Sequence, residues 1–112
     1  MKKIYSLMIG RYQPLHDGHC ALIQKVLDEG KNVLVAIRDT EISKNNPYNY
    51  RERWRMVNDR FMDAISDGKL AIIKIPDIEE VCYGRKVGWG IREIHLDKKT
   101  ESISATKIRK NK

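Results

Sequence analysis

Apolar and polar positions along the chain fall into segments with two different periods. Residues 3–9 are rich in β-formers and lead into Gly10 and Pro14, so they predict a buried strand followed by a loop over 10–17. From Gly18 to Glu29 the apolar positions Cys20, Ala21, Leu22, Ile23, Val26 and Leu27 recur at helical spacing. Asp17 stands at the N-cap position and Gly30 where the helix should stop. Residues 32–38 hold the unbroken run Val33-Leu34-Val35-Ala36-Ile37, the pattern of a parallel strand covered on both faces. A polar loop over 39–47 precedes a second helix over 50–65, with Trp54, Val57, Phe61 and Ile65 on one stripe. A third strand is predicted over 70–75, ended by Pro76, and short strands over 80–83 and 91–96 flank a loop marked by Gly84, Gly88 and Gly90. A last helix is predicted over 104–110.

Strand, helix and strand within the first 38 residues form a βαβ unit with a right-handed crossover. The whole reads as an α/β fold: a small Rossmann-like, doubly wound parallel sheet of about five strands in a three-layer α/β/α arrangement. With 112 residues, residues 1–112 make one domain with a thin core, and a homodimer is one way to supplement it.

Composition narrows the functional classes. No stretch reaches the length of a membrane span, and the basic, apolar start breaks at Gly10-Arg11 without a cleavage site, so a cytoplasmic protein is expected. Cys20 and Cys82 are too few for a disulfide framework and are expected reduced. The net charge of +7 is uneven: residues 81–112 hold 9 Lys and Arg against 3 Asp and Glu. A localised excess of that kind is suited to an anionic partner, or to a solvated basic tail.

The candidate chemistry lies in Gly10-Arg11-Tyr12-Gln13-Pro14-Leu15-His16-Asp17-Gly18-His19, between a predicted strand and a predicted helix. Ligands of open α/β sheets bind at such turns, where the helix start offers backbone N–H groups to a phosphate. Gly18 allows close approach, and His16 and His19 can point into one small volume as hydrogen-bond donors. Alternatives at this spacing are zinc ligation, with a cysteine or His95 completing the set, and plain surface histidines. A second cluster is Ser102-Ile103-Ser104-Ala105-Thr106-Lys107-Ile108-Arg109. Here Ser104 can cap a helix presenting Thr106, Lys107 and Arg109 to phosphate oxygens, though a capped basic helix is the plainer reading.

The first string resembles the HxGH signature of the nucleotidyltransferase superfamily, in the long form found in nicotinamide mononucleotide adenylyltransferases. Glycerol-3-phosphate cytidylyltransferase and pantetheine-phosphate adenylyltransferase carry the same two histidines. The second string resembles the superfamily's Ile-Ser-[Ser/Thr/Gly]-Thr-x-Ile-[Arg/Lys] signature, with Ala105 at a tolerant position. The segment from Asn46-Pro47 to Glu52-Arg53 is similar to its archaeal-type counterpart. The resemblance implies catalytic roles for His16, His19 and Lys107. It also implies nucleotide or phosphate contacts for Gly10, Arg11, Tyr12, Gly18, Arg53, Ser104, Thr106 and Arg109. No protein-held metal is implied; Mg²⁺ would come with the nucleoside triphosphate.

The expected reaction is transfer of a nucleoside monophosphate from ATP or CTP to a phosphorylated small molecule. The chain departs from the family where Arg85-Lys86 replaces the usual acidic pair, and the helix before that strand is missing, which leaves the acceptor open. Two other classes remain: a nucleic-acid-binding module, from the basic third with Tyr48, Tyr50, Trp54 and Trp89, and a non-catalytic nucleotide-binding module.

Overall fold

The computed structural model describes residues 2–85 and 88–96. Within them the elements run β1 (Tyr5–Gly10), α1 (Asp17–Asp28), β2 (Asn32–Asp39), α2 (Tyr50–Arg60), α3 (Met62–Ser66) and β3 (Leu70–Pro76). The three strands form one parallel sheet in the order β1-β2-β3. β2 is its centre, as its unbroken apolar run requires, with Met8, Val35 and Ile72 side by side in the register.

One face of this sheet carries the core. Val33, Val35 and Ile37 of β2 and Leu70 of β3 are buried against Cys20, Ile23 and Val26 of α1 and against Val57 and Phe61. Both crossovers therefore lie on the same side, as two consecutive right-handed connections moving in one direction must. The opposite face carries Tyr5, Leu7 and Ile9 of β1 and Ile73 of β3, all among the exposed large apolar residues. Among the described residues the fold is thus half of a doubly wound sheet in two layers.

The expected strands at 80–83 and 91–96 are not formed: both segments are irregular, and the described sheet has three strands, not five. Among the described residues no helix or strand follows Pro76, so neither segment pairs with the sheet. Ile94 still packs on the core, and Arg92 pairs with Glu29 at 2.9 Å. The expected helix over 104–110 lies outside the described residues.

Three local devices fix the helices. At Gly30, φ is +80°, and its N–H reaches Leu27 O at 3.0 Å, so α1 ends as expected. The expected helix over 50–65 divides at Phe61, whose φ of −120° breaks the α2–α3 run. The division lets Phe61 enter the core while α3 turns with the surface. Asn49 caps α2 in a capping box with Glu52.

Candidate functional site

β1 and β2 deliver residues 10–19 and 38–49 to the carboxyl edge of the sheet, and the site is built from these two stretches. The N-cap of α1 is His16, not the expected Asp17, which occupies the first helical position. His16 Nδ1 accepts from the N–H of Gly18 at 3.1 Å and of His19 at 3.3 Å. His16 N–H in turn donates to His19 Nδ1 at 3.2 Å. This is a capping box in which the two histidines fill both roles, and it explains their spacing of three.

Two consequences follow from that box. First, the Gly18 and His19 amides are engaged by an imidazole, so they are not the open phosphate cradle expected of this helix start. Second, an imidazole whose Nδ1 accepts must, when neutral, carry its proton on Nε2. The rings stack with centroids 3.7 Å apart and planes at 15°, and no described residue hydrogen-bonds to either Nε2. The site therefore presents two adjacent Nε2–H donors.

Burial lowers the pKa of both rings. For His19 it is lowered to about 4, with the neighbouring His16 adding to the effect; for His16 the carboxylate of Asp17 partly opposes it. At neutral pH the free site thus holds two uncharged donors, and does not depend on imidazolium.

Tyr12 stands behind His19, with ring centroids 4.7 Å apart in an edge arrangement. It is buried, its hydroxyl donates to Met8 O at 3.3 Å, and burial raises the pKa of its phenol. Its φ of +52° is in the left-handed region. A Cβ at Gly10 would lie 3.0 Å from the Tyr12 ring. Gly10 and Tyr12, expected as ligand contacts, are thus packed on each other and shape the wall behind the histidines. Arg11 is exposed and spans to the other loop through Asn46 Oδ1 at 3.2 Å. Gly18 is buried at the helix start.

Arg53, expected as a phosphate contact, lies in the interior. Its side chain is fully buried on the stripe with Val57. Nε donates to Asn49 O at 3.2 Å, and the NH1 nitrogen to Arg11 O at 2.8 Å and Arg38 O at 2.7 Å. The other terminal nitrogen has no hydrogen-bond partner among the described residues. Burial draws its pKa below the ordinary value, with Asp39 and Tyr50 opposing. Gln13, which the motif reading did not single out, is buried too. It donates to Tyr48 O at 2.9 Å and Thr40 Oγ1 at 3.3 Å, and accepts from Tyr48 N–H at 3.0 Å. Its signal was a polar residue beside a loop proline; that of Arg53 was a charge at the helical spacing of Tyr50, Val57 and Phe61.

Ser104, Thr106, Lys107 and Arg109 lie outside the described residues. Among the described residues no group of three His, Cys, Asp or Glu side chains gathers around one point. A groove of about 580 Å³ lined by Gln24, Asp28, Arg60 and Asp63 shares no residue with the histidine site. No helix among the described residues is long and apolar enough to cross a membrane.

Comparison with known proteins finds relatives over the segment that builds this site. The nicotinamide-nucleotide adenylyltransferase of Thermococcus sibiricus is 34% identical over 77 residues, covering 65% of this chain and 41% of that protein. That of Pyrococcus horikoshii is 31% identical over 77 residues, covering 67% and 41%. The nicotinamide/nicotinic acid mononucleotide adenylyltransferase of Acinetobacter baylyi is 30% identical over 76 residues, covering 66% and 40%. The chain spans about two fifths of the length of the curated relatives it matches. Residues 7–67, from β1 through α3, match the cytidylyltransferase-like family, and the chain belongs to it.

Proposed function

We propose that the protein is a nucleotidyltransferase that moves a nucleoside monophosphate from ATP or CTP to a phosphate-bearing small molecule. The observation that carries this reading is the paired Nε2–H donors of His16 and His19 at the carboxyl edge of β1, in a chain of the cytidylyltransferase-like family. A phosphate oxygen of the acceptor attacks the α-phosphorus. The bond from that phosphorus to the bridging oxygen breaks, and pyrophosphate leaves with the electron pair. An acceptor phosphate is already ionised, so no general base is required, and catalysis consists of positioning and charge stabilisation.

In this reading the two imidazoles donate to the triphosphate around the transferring phosphorus, and Arg11 supplies a cation at the rim. Lys107, with Ser104, Thr106 and Arg109, would hold the departing phosphates. Magnesium would enter with the nucleoside triphosphate and would supply charge neutralisation on its phosphates. The names of the relatives favour ATP as donor and nicotinamide mononucleotide as the first acceptor to try.

The test is pyrophosphate release by the full chain with magnesium, each nucleoside triphosphate and nicotinamide mononucleotide, alongside the thermal midpoint with each nucleotide alone. One nucleotide should raise the midpoint; at about 100 times its Kd the stabilisation is about 2.7 kcal/mol. Release of pyrophosphate that depends on the acceptor then establishes transfer. Binding without release, across a panel of phosphorylated acceptors, would instead establish the non-catalytic nucleotide-binding module.

A further inference from the structure

Tyr12 carries the least favourable backbone conformation in the site, and both of its neighbours are pinned. A non-glycine residue at φ of +52° is unfavourable and persists only where its surroundings impose it. On one side, the carbonyl of Arg11 accepts from the buried Arg53 guanidinium at 2.8 Å. On the other, the buried Gln13 amide is tied at both ends to Tyr48 and also reaches Thr40. Both pins come from the same side of the site: Arg53 also holds Arg38 O and Asn49 O, and so binds the end of β2 to the start of α2. The Tyr12 ring, thus fixed, is edge-on to His19, and His19 is one half of the capping box that orients His16.

We propose that Arg53 and Gln13 are positioning residues that hold Tyr12 in its left-handed conformation and so fix the stacked His16–His19 pair. Arg53 Nε and NH1 and the Gln13 amide are engaged by backbone groups and by Thr40. They act from beneath, through the backbone of residues 11–13. Arg suits the task because one planar fork reaches three carbonyls from three segments, which a lysine ammonium on a flexible stem does not reproduce. The catalytic part of this inference rests on the nucleotidyl-transfer reading, whereas the geometric part does not.

The test uses the full chain with Arg53→Lys and Gln13→Glu. The first keeps a charge and loses the fork. The second keeps an acceptor for the Tyr48 N–H and loses both amide donations. The direct readout is the ¹⁵N signature of the two imidazoles, recorded well below each variant's thermal midpoint. The parent should show Nδ1 as acceptor and Nε2 as protonated in both rings; folded variants should show at least one ring shifted away from that pattern. With magnesium ATP and nicotinamide mononucleotide, kcat should fall about tenfold or more with KM for ATP nearly unchanged, as expected when reacting groups are misplaced. Imidazole signatures and kcat equal to the parent in folded variants would overturn the inference. So would failure of both variants to fold, which assigns the two residues to stability alone. If the parent releases no pyrophosphate with any nucleotide and acceptor, the transfer reading fails, and the imidazole signature alone decides the positioning role.

Discussion

At the scale of single residues, the two histidines do separate jobs with separate ring atoms. Nδ1 of each builds the helix start, and Nε2 of each is left for a ligand. Asparagine separates these jobs, because its Oδ1 can take the place of Nδ1 while nothing replaces Nε2–H. His16→Asn should therefore keep the N-cap and a thermal midpoint close to the parent, yet lose about 100-fold or more in turnover. His16→Ala should lose the same turnover and also about 1 kcal/mol of stability. Calorimetry and pyrophosphate release on both variants check this, and equal midpoints for the two would remove the capping role. His19 adds a pH dependence. Its folded pKa of about 4 lies below its ordinary value of 6.5, so between the two the unfolded chain binds more protons. Its contribution to stability is complete above about pH 6.5 and is lost as pH falls through 4. Midpoints measured from pH 7.5 to 4 should decline less steeply in His19→Asn than in the parent; parallel curves would show that this ring stays protonatable in the fold.

At the scale of elements, the sequence was most readable where one rule governed each position. β1, α1, β2 and β3 stand where periodicity and terminators put them, and Gly30 stops α1 as expected. The pair of histidines was legible as a site, but its architecture was not. Asp17 is the better N-cap by composition, and only the stacked geometry shows an imidazole in that role. The burial of Arg53 was illegible for a related reason: a charged residue in a binding motif suggests an exposed charge, whereas here three backbone carbonyls take it into the core. The strands expected at 80–83 and 91–96 failed because local alternation cannot supply a neighbouring edge. The turn after β1 carries its own prediction. Gly10→Ala places a methyl group 3.0 Å from a buried Tyr12 ring that is held on its far side. Overpacking of this kind should cost about 1–3 kcal/mol, read as a lower midpoint in urea or heat. A variant as stable as the parent would show that the ring is free to give way.

At the scale of the whole molecule, the described sheet has one loaded face and one bare face, and the two should respond to mutation in opposite ways. Val35 is fully buried between both helices, so Val35→Ala removes apolar contact and leaves a cavity that close-packed neighbours fill poorly; a loss of about 2 kcal/mol is expected. Leu7 pairs with Leu34 across the β1–β2 register and lies on the opposite face, with 56% of its surface open, and Ile73 of β3 is 39% open on that face. Leu7→Ser and Ile73→Thr should each move stability by about 0.5 kcal/mol or less, because little area is withdrawn from water there. Denaturant unfolding of the three variants at several protein concentrations distinguishes this from a face that is covered in solution. Losses at Leu7 and Ile73 comparable to that at Val35, constant with concentration, would mean that the chain's own remaining residues cover the sheet. Losses that shrink in dilute protein would mean that the parent is stabilised by a second copy seated there. Small, concentration-independent effects fit a domain whose stability rests on a single core between one sheet face and two helices. In that case the histidine pair, fixed at the carboxyl edge of the same face, draws its rigidity from the same contacts that hold the fold together.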